Sequence, residues 1–281
     1  MKSMAVSVEP TGFSPLLFPG EPEEAVKVAV ELGYDAVELS VRDPTSGAFK
    51  STKKALHASG LRVSAIATGQ SYYADGLSPT DPSSSVRSVL ADRMKQIIET
   101  AAAWNSYVVI GGIRGKLNGP ESSWGEQLEL ARSEIRGYAD VARGAGVTLL
   151  IEPINRYETN FINTVAEAIA FIDSLNCANV GVLEDTFHMN IEESSLDEAI
   201  ALGGARLLYV HTADSNRLAP GLGHVDFVSL AKTLGRVGYC GYLCAEILPK
   251  PDSYTAASKA VDYLRSLEPA FVASTNPGGT R

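Results

Sequence analysis

Four short apolar runs, each closing on a side chain able to bind a divalent metal, constrain this chain more than any other feature. Leu149-Leu150-Ile151 runs into Glu152, and Val180-Gly181-Val182-Leu183-Glu184 into Asp185. Leu207-Leu208-Tyr209-Val210 runs into His211, and Tyr242-Leu243-Cys244-Ala245 into Glu246. Runs of this length, bounded by turn residues and separated by helical stretches, read as buried parallel strands. One polar residue at the C-terminal tip of each of four successive strands is where a (β/α) barrel keeps its active site. Carboxylates are rarely buried unless they are paired or coordinate a metal. Packing alone does not explain the coincidence.

The same rhythm runs through the rest of the chain. Ala5 to Val8 reads as a first strand. Glu21-Pro22-Glu23-Glu24 opens a helix whose apolar face is Ala25, Val28, Ala29 and Leu32, and Gly33 ends it. Further strands fall at 35–39, 61–67 and 107–110, with helices between them, and Asn163-Thr164-Val165 caps the helix after strand five. The segment 68–83 is rich in Gly, Ser, Tyr and Asp and lacks periodicity. It reads as a long loop over the barrel top, with Gln70 and Tyr72 as substrate contacts. Eight strand–helix alternations predict an α/β fold, a single-domain (β/α)8 TIM barrel over 1–272, with a disordered tail at 273–281. A doubly wound sheet shares the alternation, but it would scatter the four polar tips.

Composition excludes some partners. The formal net charge of −9 lacks the basic footprint that a nucleic acid backbone requires. Three cysteines are odd in number and lack the paired spacing of a zinc site, so they read as reduced thiols of a cytoplasmic protein. The N-terminus has no apolar stretch of the roughly 7–15 residues that a secretory signal carries. No run approaches the roughly 18 apolar residues of a membrane span. The expected partner is a small sugar or sugar acid, with neither nucleic acid nor membrane; assembly as a homodimer or homotetramer is left open.

Glu152, Asp185, His211 and Glu246 supply three carboxylates, one imidazole and no thiolate. Such a set suits Mg2+ or Mn2+, and the imidazole also admits Co2+ or Zn2+. Four protein ligands on a six-coordinate ion leave two adjacent positions, which two vicinal oxygens of a hydroxyketone would fill. The cation polarises the carbonyl, and the neighbouring C–H becomes acidic enough for a carboxylate to remove. Glu152 and Glu246, on strands five and eight, can reach the substrate from opposite sides. Deprotonation on one face and reprotonation on the other is epimerisation through an enediolate. Proton transfer between the two oxygens of that enediolate gives aldose–ketose, or hydroxypyruvate-type, isomerisation instead.

Three longer runs carry a resemblance: Glu152-Pro153-Ile154-Asn155-Arg156-Tyr157-Glu158-Thr159-Asn160, Asp185-Thr186-Phe187-His188-Met189-Asn190-Ile191-Glu192-Glu193 and His211-Thr212-Ala213-Asp214-Ser215-Asn216-Arg217. They resemble the xylose-isomerase-like sugar phosphate isomerase/epimerase family, nearest its ketose 3-epimerases of the tagatose and allulose (psicose) type and the keto-gluconate epimerases. The resemblance implies one divalent metal, Mn2+ foremost, held by Glu152, Asp185, His211 and Glu246. It makes Glu152 and Glu246 the acid/base pair and sets Glu158, His188 and Arg217 against substrate oxygens.

Each of these residues has a plainer reading. Glu158 could pair with Arg156, and Arg217 with Asp214 or Glu192 at the rim. Alternation points Glu184 away from Asp185 into the helix layer, as a paired acid. Arg114 and Lys116, among glycines after strand four, form a candidate site for a carboxylate or phosphate at the substrate's far end. That pair favours keto-sugar acids or sugar phosphates over neutral sugars. His224 reads as a rim residue. An endonuclease-IV-like nuclease would need more than the four histidines present and a basic face; a non-catalytic sugar-binding barrel would not need an acid/base pair.

Overall fold

The computed structural model describes residues 1–13 and 15–275. Eight strands, β1 (Lys2–Ser7), β2 (Ala36–Ser40), β3 (Arg62–Ala67), β4 (Tyr107–Ile110), β5 (Leu149–Ile151), β6 (Val180–Asp185), β7 (Leu207–His211) and β8 (Tyr242–Ala245), pair in chain order. All pairs are parallel, and β8 returns to β1 to close the barrel. Helices α1 (Pro22–Leu32), α2 (Gly47–Ser59), α3 (Gln70–Tyr73), α4 (Ser84–Trp104), α5 (Trp124–Gly144) and α6 (Val165–Leu175) occupy the first connections. The later ones hold α7 (Thr186–Glu192), α8 (Leu196–Gly203), α9 (Phe227–Arg236), α10 (Ser253–Ser266) and α11 (Glu268–Thr275).

Local chemistry sets these boundaries. Gly33 and Gly60 end α1 and α2 in the left-handed conformation that costs a glycine nothing. Thr164 and Glu167 close a reciprocal capping box at the start of α6. Asp185 ends β6 and also accepts the Phe187 N–H at 2.8 Å, so the same carboxylate caps α7. Helix α7 therefore begins directly where β6 ends. The segment 68–83 contains a helical turn, α3. The chain stays helical through Thr275, beyond the domain limit expected at 272; the remainder of the expected tail, 276–281, lies outside the described residues.

Side chains alternate across each strand, which divides the core in two. Val108, Leu149, Val182 and Val210 face the helices, whereas Val109, Leu150, Leu183, Tyr209 and Cys244 fill the barrel. Two residues beyond an inward side chain, the next one points inward again. Leu150 therefore aims Glu152, Leu183 aims Asp185, Tyr209 aims His211 and Cys244 aims Glu246 at the barrel axis. The four tips converge because of this parity.

Parity also sends Glu184 the other way, into the helix layer, but no described residue supplies the pairing partner expected there. Among the described residues, neither of its two buried carboxylate oxygens has a hydrogen-bond partner, and a Cβ at Gly203 would collide with Oε1. Burial, reinforced by the Glu193 carboxylate, raises the Glu184 pKa well above the usual range. The folded state thus binds this proton more tightly than the unfolded chain. The group's contribution is fully present below the unfolded pKa and is lost as pH rises toward the folded one. While only the folded side chain stays protonated, stability falls by about 1.4 kcal/mol per pH unit. Glu184→Gln is expected to match the parent in acid and to exceed it increasingly above about pH 5. Urea denaturation across pH measures the difference; parallel curves would refute it.

Candidate active site

His211 stands at the centre of the barrel mouth. Its Nδ1 lies 3.2 Å from Glu152 Oε1, 3.5 Å from Glu246 Oε2 and 3.7 Å from Asp185 Oδ2. One ligand-type atom from each of these four residues lies within 4.8 Å of all the others, and all four residues are buried. Three carboxylates crowded around one imidazole, out of water, need compensating positive charge. The set fits a divalent cation bound by oxygen and one nitrogen.

Arg217 supplies part of the compensation. Its Nη1 donates to Asp185 Oδ2 at 2.5 Å, and Nη2 donates to Glu246 Oε2. The guanidinium lies 4.8 Å from the Phe187 ring centroid. This is not the rim salt bridge with Asp214 or Glu192; Asp214 instead accepts main-chain N–H groups from Ser215, Gly221 and Val225. Those bonds shape the loop that carries Arg217, whose own carbonyl accepts the Leu248 N–H at 2.8 Å.

Charge follows from this geometry. Burial alone would raise Asp185, but Arg217 and His188 hold it well below the usual carboxylate range. Burial pushes Glu246 up to about 8, against the pull of His211 and Arg217 and with the carboxylates of Glu152 and Asp185 adding. His211 would be lowered by burial, yet the carboxylates around it raise it well above an ordinary histidine. Burial lowers His188, partly offset by Asp185.

Beside this cluster opens a pocket lined by Glu152, Glu246, Glu158 and His188 and walled by Phe13, Thr68, Gln70, Tyr73, Gly111, Gly112 and Ile154. The Asn155 amide donates to Glu158 Oε1 at 2.8 Å and lies 2.8 Å from His188 Nδ1. An amide nitrogen can only donate, so His188 Nδ1 accepts and Nε2 carries the ring proton. Glu158 is not engaged by Arg156, which pairs with Glu192 at 2.7 Å. A Cβ at Gly111 would collide with Glu152 Oε2, so only glycine lets this carboxylate lie where it does. Tyr73, rather than Tyr72, reaches the pocket, where it stacks on Phe13 with centroids 4.9 Å apart. Gln70 is at the pocket wall, but its amide donates to the hydroxyls of Ser7 and Ser40 at 2.9 and 3.0 Å.

Arg114 corrects the sequence expectation. It is only 1% exposed and does not line the pocket. Its guanidinium donates to the main-chain carbonyls of Phe161 and Glu152, with Ile162 at 3.5 Å, and lies over the Phe161 ring. Buried away from the pocket and turned onto these carbonyls, the guanidinium is not presented to a substrate anion. Lys116 and His224 are exposed, and neither lines the pocket. No lysine or arginine lines the pocket among the described residues.

Sequence reasoning missed Glu38, Asn155, Phe13 and Tyr73. The signal for Glu38 was available: a carboxylate in the middle of the apolar stretch Ala36-Val37-Glu38-Leu39. Val37 and Leu39 face the helices, so Glu38 faces inward.

Known proteins share this architecture. The family model described as a xylose isomerase-like TIM barrel matches residues 26–267. A ketose 3-epimerase of Arthrobacter globiformis is 34% identical over 244 residues, 86% of this chain and 81% of that protein. The 3-dehydro-D-guloside 4-epimerase of Escherichia coli is 28% identical over 238 residues, covering 82% and 88%. The crystal structure of a D-allulose 3-epimerase from Methylomonas sp. superimposes with a TM-score of 0.78 at 25% identity, over 95% of this chain and 99% of that one. This chain belongs to the xylose isomerase-like TIM barrel family.

Proposed function

We propose that this protein is a divalent-metal-dependent epimerase acting at carbon 3 of a neutral ketose. One observation carries the reading: Glu152 and Glu246 flank the same imidazole nitrogen at 3.2 and 3.5 Å, and both line the pocket. A cation held by Glu152, Asp185, His211 and Glu246, Mn2+ on this oxygen-rich donor set, supplies polarisation of the substrate carbonyl when bound. One carboxylate takes the proton from the carbon beside the carbonyl, and the other returns a proton to the opposite face of the enediolate. Glu158 and the Nε2–H of His188 hold substrate hydroxyls, and Asn155 orients both.

A pocket that no lysine or arginine lines among the described residues favours an uncharged substrate over a keto-sugar acid or sugar phosphate. Three unpaired cysteines, one of them exposed, agree with a reducing, cytoplasmic setting. A second reading, epimerisation at carbon 4 of a 3-keto glycoside, moves the same chemistry one carbon along and is favoured by the likeness to the Escherichia coli enzyme.

Incubation of the Mn2+-loaded protein with neutral ketoses, ketouronates, ketose phosphates and 3-keto glycosides in D2O separates these readings. The expected result is deuterium at carbon 3 of a neutral ketose, lost with a chelator and regained with Mn2+. Label at carbon 4 of a 3-keto glycoside would establish the second reading, and an aldose product would establish an isomerase. No label in any compound would overturn the enzyme assignment.

A further inference from the structure

His211 faces two sets of acids. Nδ1 points at Glu152, Asp185 and Glu246, while Nε2, on the opposite edge of the ring, lies 2.9 Å from Glu38 Oε2. Glu38 is fully buried and His211 is 1% exposed, so no bulk water enters this contact. We propose that Glu38 is the positioning residue for His211: it accepts the Nε2–H and thereby presents a bare Nδ1 to the cation. The assignment rests on the metal-centre reading of the four strand tips.

Hydrogen-bond chemistry supports this tautomer. A carboxylate offers only lone pairs, so a bare Nε2 at 2.9 Å would set lone pair against lone pair in a dry interior. The proton belongs on Nε2; the bare Nδ1 then faces three carboxylates that cannot donate either, an arrangement that a cation held by these four residues relieves. A carboxylate behind a metal-bound histidine also raises the basicity of the ring and fixes its plane. Strand geometry makes Glu38 suited to this work. β2 stands three strands around the closed barrel from β7, so Glu38 meets the ring through the barrel interior, and the ring itself is steeply inclined against Tyr209, with centroids 5.7 Å apart.

One competing arrangement lies on the same side of the ring. Glu38, His211 and Cys244 also bring ligand-type atoms within 4.8 Å of one another. A second cation there would take Nε2 as a ligand and strip its proton.

Two measurements on the full chain decide. Long-range proton–nitrogen correlation spectra of 15N-labelled, Mg2+-loaded protein report which ring nitrogen of His211 carries hydrogen. A protonated Nε2 is expected; a bare Nε2 overturns the assignment. Because it needs no variant, this measurement decides even if a substitution at position 38 prevents folding. Calorimetric titration with Mn2+ then compares the parent with Glu38→Gln and Asp185→Asn. The expected result is one site, weakened about 10–100-fold in Glu38→Gln with its circular dichroism unchanged. Equal affinity of parent and Glu38→Gln, with Asp185→Asn impaired, overturns the role of Glu38 and leaves the metal centre standing. Equal affinity of all three, or no binding by the parent, overturns the metal centre and the assignment with it.

Discussion

Glu152→Gln and Glu246→Gln each slow epimer interconversion by about 10²–10⁴-fold at saturating Mn2+, the range that positioned acid–base groups contribute. Both amides keep the size of the parent side chain and an oxygen that can face the cation, so folding is expected to survive. The informative result is what each variant retains. If the two carboxylates serve opposite faces of one carbon, Glu152→Gln still exchanges solvent deuterium into the epimer whose proton faces Glu246. Glu246→Gln does the same for the other epimer. Mass spectrometry of each pure epimer in D2O reads this directly. Residual exchange in the same epimer for both variants would show that one base serves both faces. The distances motivate the expectation: both carboxylates approach His211 Nδ1, at 3.2 and 3.5 Å, from different staves of the barrel.

The barrel and its four polar tips were legible because both depend on local pattern. Apolar runs ending in Glu152, Asp185, His211 and Glu246 can be read from a few neighbouring residues, and strand parity then decides which way each tip points. Parity also predicted that Glu184 would turn into the helix layer. Whether it would meet a partner there depended on how α8 packs, and nothing beside Glu184 in the chain encodes that. Glu38 was hidden for a related reason. Its partner is 173 residues away, and the contact exists only once the sheet closes on itself. α7 was missed because Asp185 serves two elements at once. A strand that ends on the residue capping the next helix leaves no turn signal between them. The arginines were hardest to place. A long flexible stem lets the charged head lie far from the position its place in the chain suggests.

Arg114→Ala is expected to be the most destabilising change, and it should not alter charge selectivity. The guanidinium ties the short helical turn after β4 to the main-chain carbonyls of Glu152 and Phe161, with Ile162 more distant. The side chain is buried and has no acid as a hydrogen-bond partner, and burial lowers its pKa to about 10. Removing it leaves buried acceptors without donors, at roughly 1–3 kcal/mol each, and a void the size of an arginine stem. The summed loss is roughly 3–5 kcal/mol, which corresponds to a fall in Tm of roughly 6–20 °C for a domain of this size. Lysine should recover little, because one ammonium cannot reproduce the planar fork that reaches two carbonyls. One of those carbonyls belongs to Glu152 itself, so releasing it lets the carboxylate drift from His211. A misplacement of about 1 Å is enough to cost on the order of 100-fold in rate. The loss should therefore fall on kcat, and KM should change by the same factor for neutral and anionic ketoses. Differential scanning calorimetry and steady-state kinetics check both parts. A rise in KM confined to anionic substrates, with Tm unchanged, would return Arg114 to the role of an anion-binding residue.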